Sequence, residues 1–156
     1  MTIFCRDLTA SLAFYRDLLG LSVVEDKVIE GAAAGGLLQL PPCRIRIVLL
    51  SAVAGEPPIL GLFEVSGTAI ENITPPPGRP AHGQTALVLR TAEFDALRSK
   101  LEAAGARYLT PPLRYPKSRA SEHSPAGVYN EMIVYDPDGV LVSILQIDPL
   151  GQEAQG

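Results

Sequence analysis

"YDPDGVLVSILQ", residues 135–146, is a β-hairpin written out in the chain. Tyr135 ends one strand. Asp136-Pro137-Asp138-Gly139 turns the backbone, because Pro137 presets φ at the second turn position and Gly139 accepts a positive φ. Val140 to Gln146 then runs back as a second strand. Upstream, "YNEMIVY" supplies the first arm of this hairpin, and before it residues 110–127, rich in Pro, Ser and charge, are expected to form a long loop, either a lid or a disordered surface loop. Further back stand a short strand, "ARYLT", and an amphipathic helix carrying Phe94, Leu97, Leu101 and Ala104 on one face. Thr91 is placed to cap that helix and Gly105 to close it. The strand "TALVLRT" comes first, so the order is β-α-β-β-β.

The same programme precedes it. "TIFCR" reads as a strand. Asp7 or Thr9 can cap a helix whose Leu8, Leu12, Tyr15 and Leu19 share one face, and Gly20 sits where a C′ glycine belongs. "SVVEDKVIE", "CRIRIVLLSA" and "PPILGLFEVSG" read as strands, with a short helical turn in "AAAGGLLQLPP". Between the two programmes, "NITPPPGRPAHG" can continue neither helix nor ladder. The expected organisation is a first βαβββ module at 1–71, a Pro/Gly-rich linker at 72–83, a second βαβββ module at 84–150 and a tail at 151–156. This is an α+β fold, and two such modules paired edge to edge leave a concave, ligand-sized cleft.

Bulk properties remove several functions. The 156 residues are 47% hydrophobic and 19% charged, which is globular, and the formal net charge of −4 argues against nucleic acid as a partner. No apolar run approaches the ~20 residues of a membrane span, and no secretory signal opens the chain. Cys5 and Cys43 stand alone without metal spacing, as reduced thiols of a cytoplasmic protein do.

"RDLTASLAFYRDLLGL" together with "YDPDGVLVSILQ" resembles the vicinal oxygen chelate superfamily, which includes glyoxalase I, bleomycin-resistance proteins and extradiol dioxygenases. The resemblance covers essentially the whole chain and speaks to fold more than to activity. In metal-using members each module gives two ligands, typically two His and two Glu in all, which hold an octahedral metal. Here the first position falls just before Met1, and the others fall at Gly61, Ala86 and Ser143, none of which offers an imidazole or carboxylate. Glu64 lies an odd step from Gly61 and faces the other way. His82 lies in the linker. The resemblance therefore implies a member without the metal or another cofactor.

Other side chains then become candidates for ligand binding. Arg44 and Arg46 alternate with Ile45 and Ile47. If the isoleucines pack under the first helix, both guanidiniums line the concave face and favour an oxygen-rich, anionic small molecule. Phe63 and Ser143 share that face by alternation, and Tyr129 and Glu131 start the strand before the turn, where a carboxylate can act as a base. Loop histidines His82 and His123 are candidate proton shuttles. The expected function is a metal-independent, cytoplasmic, homodimeric protein of the glyoxalase/bleomycin-resistance type that binds a small organic molecule. The alternatives are a metal-independent lyase or isomerase, or a metal-dependent glyoxalase or dioxygenase with non-standard ligands. No nucleophile, base and orienter can be read together, so the sequence leaves catalysis open.

Overall fold

The computed structural model describes residues 1–73 and 78–149. Part of the expected linker, 74–77, and the last residues, 150–156, lie outside the described residues. The chain divides into two compact units. One holds the N-terminal half together with Asp136–Gly139, and the other holds the remainder. Two four-stranded sheets with few helices make this the α+β fold of two βαβββ modules.

In the first unit the sheet runs β1-β4-β3-β2, with β1 (Thr2–Phe4) parallel to β4 (Leu60–Ser66) and antiparallel pairing of β3 (Cys43–Ser51) with both β4 and β2 (Ser22–Gly31). Helix α1 (Leu8–Leu12) starts at Asp7, whose Oδ1 accepts from the backbone N–H of Thr9 at 2.8 Å and Ala10 at 3.1 Å. It continues as a π-helical segment over Ala13–Leu18 and ends ahead of Gly20, at φ +79°. Leu8, Leu12 and Tyr15 are buried, as are Val48, Leu50, Leu60 and Leu62 on the sheet face that α1 covers. Helix α2 (Ala32–Leu38) covers the other face, where Ala34 packs with Cys43, Ile45 and Ile47, and Phe63 and Val65 join from β4.

The turn Asp136–Gly139 belongs to this first unit. Gly139 takes φ +89°, as its place in the turn requires, and the Asp138 N–H donates to Asp136 Oδ1 at 2.9 Å. Buried Tyr15 donates its hydroxyl to Asp136 Oδ2 at 2.8 Å, Arg6 donates its Nε–H and its backbone N–H to Asp138 Oδ1, each at 3.0 Å, and Ser11 Oγ donates to Asp138 Oδ2 at 3.3 Å.

The second unit repeats the order as β5-β8-β7-β6. Strand β5 (Ala86–Arg90) lies parallel to β8 (Leu141–Pro149), and β8 pairs with β7 (Gly127–Tyr135), which pairs with β6 (Tyr108–Lys117), both antiparallel. Helix α3 (Phe94–Ala103) covers one face; its Phe94 N–H donates to the Gln146 side chain at 3.0 Å, and Leu101, Met132, Val134, Val142 and Ile144 are buried. The loop expected over 110–127 is shorter, because β6 extends to Lys117. Pro111, Pro112 and Pro116 are tolerated since β6 is an edge strand with shifts of register after Tyr108 and Thr110. No helix among the described residues is long and apolar enough to cross a membrane.

Candidate functional site

Side chains alternate along a strand, so the residues of the second sheet that turn away from α3 follow from register. Val88 and Ile133 flank Ser143, Leu113 and Leu145 flank Glu131, and Tyr115 and Ile147 flank Tyr129. Glu131 is the centre of this face. Its Oε1 accepts from the Ser143 hydroxyl at 2.9 Å and its Oε2 accepts from the Tyr115 hydroxyl at 2.9 Å. The Tyr115 ring stacks on Tyr129, with centroids 5.5 Å apart and planes 24° apart. Tyr129 is buried and anchored in turn, donating to the Pro125 carbonyl at 2.8 Å. Burial, then the bond to Glu131, raises the Tyr115 phenol above its ordinary value and keeps it a donor at neutral pH.

The result is a half-buried carboxylate held on both oxygens by neutral hydroxyls, beside a rigid aromatic stack and above apolar neighbours. Each carboxylate oxygen keeps a further acceptor site for a ligand proton. Beyond the stack, Lys117 Nζ donates to Ser121 Oγ at 3.0 Å, to the Ser124 carbonyl at 3.1 Å and to Ser124 Oγ, which ties down the loop that carries Pro125. Three expected residues, Tyr129, Glu131 and Ser143, thus come together. Tyr115 completes them and was missed as a site residue because its prolines disguise the strand; the alternation Leu113, Tyr115, Lys117 was the available signal.

The arginines are elsewhere. Glu64 Oε1 accepts from the Leu8 N–H at 2.9 Å, so Glu64 lies on the α1 side of the first sheet, and register places Arg46 beside Glu64 and Arg44 beside Ser66. The isoleucines pack under α2 instead of α1, which reverses the expected facing. Arg46 makes a two-pronged pair with Asp26 at 2.7 and 3.0 Å, and Arg44 Nε meets Glu30 at 2.9 Å, all exposed or half-exposed. The ground for an anionic ligand goes with them.

Phe63 does share the face of Gly61, and it fills the space there. A Cβ at Gly61 would lie 3.0 Å from Phe63 Cε1 and 3.4 Å from Leu49 Cδ2. The family's ligand positions therefore offer a glycine whose side-chain space is taken, an exposed alanine at 86, and a serine engaged by Glu131. Among the described residues no three His, Cys, Asp or Glu side chains cluster closely enough to hold an ion. This donor set does not fit the metal. His82 and His123 are exposed, the latter 3.8 Å from Glu122.

A model of the Glyoxalase/Bleomycin resistance protein/Dioxygenase superfamily matches residues 1–144. No curated protein matches the chain. Among solved structures it is similar to a glyoxalase family protein from Bacillus cereus, at 18% identity over 97% of this chain and 92% of that one, with a TM-score of 0.75. It is also similar to the trypanothione-dependent glyoxalase I of Leishmania major, at 15% identity, 94% and 83% coverage and a TM-score of 0.59. A fosfomycin resistance protein from Listeria monocytogenes gives 14% identity, 94% and 88% coverage and a TM-score of 0.50. At these identities the structures speak for the fold, and with the family model matching residues 1–144 the chain belongs to the glyoxalase/bleomycin resistance protein/dioxygenase superfamily.

Proposed function

We propose that this chain is a small-molecule-binding member of its superfamily that works without the family's metal, and that the ligand rests on the second sheet against Glu131, Tyr115 and Tyr129. One observation carries the reading. Where metal-using members are expected to present a glutamate, Ser143 instead donates a hydroxyl hydrogen to a carboxylate brought from the neighbouring strand. That carboxylate is oriented by two donors and flanked by stacked rings, which is how a binding surface is preorganised. A second reading rests on the same group: Glu131, with open acceptor sites on both oxygens, would be the base of a metal-independent lyase or isomerase. A cytoplasmic homodimer is part of the proposal, since two-fold pairing is the commonest way to cover sheet edges.

The sequence contains no Trp to mask tyrosine emission, and Tyr115 and Tyr129 of the stack are two of its five tyrosine emitters. A screen of small organic molecules should find ligands that change this emission in the chelator-treated protein, and a Tyr129→Leu variant should lose the response. Ligands that bind only after one equivalent of a divalent metal is restored would refute the metal-independent reading.

A further inference from the structure

We infer that the ligand presents a cationic nitrogen to Glu131 and an apolar or aromatic body to the surface around it; this rests on the reading that the second sheet binds a small molecule. Glu131 is half-buried, and both groups that hold it in the structure are neutral hydroxyls. Hydroxyls orient a carboxylate and satisfy its lone pairs, but they do not balance its charge. The basic side chains that share the face do not do so either. Lys117 spends its ammonium on Ser121 and Ser124. Arg90 is exposed and stands in the same row of the sheet, with Leu145 between it and Glu131, and it makes no ion pair with Glu131 among the described residues.

Two further features select the same chemistry. The Tyr115 and Tyr129 rings present flat apolar surface beside the carboxylate, on which an aromatic or apolar body joined to the cation can rest. Around them Val88 and Leu113 are 60% and 52% exposed, an apolar surface that the described residues leave open. An anion would meet Glu131 as a like charge, and a neutral donor would leave the charge unbalanced. A protonated amine or a small ammonium ion joined to a hydrophobic group answers all three features at once.

The test uses the full chain at neutral pH and three probes of matched size: benzylamine as the cation, benzyl alcohol as the neutral molecule and benzoate as the anion. Backbone amide shifts locate binding and give affinities. Benzylamine should shift the amides of Tyr129, Glu131 and Ser143 and bind at least tenfold more tightly than benzyl alcohol. Glu131→Gln, which keeps a carbonyl oxygen to accept from one hydroxyl and offers its NH2 to the oxygen of the other, should weaken benzylamine about tenfold and benzyl alcohol far less. Added salt should weaken benzylamine alone on the unaltered protein, a measurement that needs no variant. If benzyl alcohol or benzoate binds at those amides as well as benzylamine, the cationic inference is overturned and the binding surface stands. If none of the three shifts them, both readings fail.

Discussion

Replacing Tyr15 by Phe isolates one hydrogen bond in the first unit. The Tyr15 ring is fully buried and its hydroxyl donates to Asp136 Oδ2 at 2.8 Å, while Asp136 is only 5% exposed. Phe keeps the ring and removes the donor. A hydrogen bond to a charged group is worth about 1.5–3 kcal/mol, and the carboxylate left behind loses a donor in a place water barely reaches. The expected loss is therefore about 2 kcal/mol. For a chain of this length each kcal/mol moves Tm by roughly 2–4 °C, so the melt should fall by about 4–8 °C. Urea titration followed by circular dichroism should show a lower midpoint at unchanged slope. Tyr108→Phe is the control, since its buried hydroxyl has no partner among the described residues, and its removal should be neutral or slightly stabilising. The alkaline limb gives a second check. Burial first, then Asp136, raises the Tyr15 phenol, so the unfolded chain ionises before the folded one. The associated stability is present below the ordinary phenol value near 10 and is lost as pH rises above it, and Tyr15→Phe should flatten that loss. A Tyr15→Phe protein melting within a degree of the parent, or a Tyr108→Phe protein losing as much, would refute this reasoning.

Arg46→Ala removes an exposed pair with Asp26 and should cost under about 1 kcal/mol in urea titration, leaving the tyrosine-emission response to ligand unchanged. Cys5 is buried and its thiol is pushed up to about 11, chiefly by desolvation, so native protein at pH 8 should show no fast reaction of Cys5 with a thiol reagent until it is unfolded; mass spectrometry of the labelled peptides reads this directly. Gly61→Ala brings a Cβ to 3.0 Å from Cε1 of the half-buried Phe63 ring, which must shift slightly, so the loss should be about 1 kcal/mol or less by thermal melt, and Phe63→Leu in the same chain should remove it.

Local chemistry made much of the fold legible. Asp7, Gly20, Gly105 and Gly139 do what caps and turns demand, because their roles are settled within a few residues. Strand β6 was not legible, since three prolines in ten residues argue against a strand until it is known to lie at a sheet edge. The arginines show a second limit. "RIRIV" announces that Arg and Ile take opposite faces, but which face meets α1 depends on α2, whose small residues Ala34 and Gly35 gave little sign that they would cover the isoleucines. The site was half legible for a related reason: Glu131 and Ser143 are cross-strand diagonal neighbours, and Tyr115 joins them only once the β6 register is known.

The placement of Asp136–Gly139 in the first unit, although both strands they join belong to the second, sets the order in which the molecule can be finished. Tyr15 leaves the ribosome 121 residues before its acceptor. The four strands of the first unit are complete at Ser66, yet Arg6, Ser11 and Tyr15 must wait for most of the chain to be made before the groups they bind exist. The turn is thus a late-arriving latch, and a nascent chain stalled before it carries a first unit that is assembled but unlocked. A half-length chain ending ahead of the linker has no such turn of its own and would stay in that condition unless a full-length chain lent it these four residues.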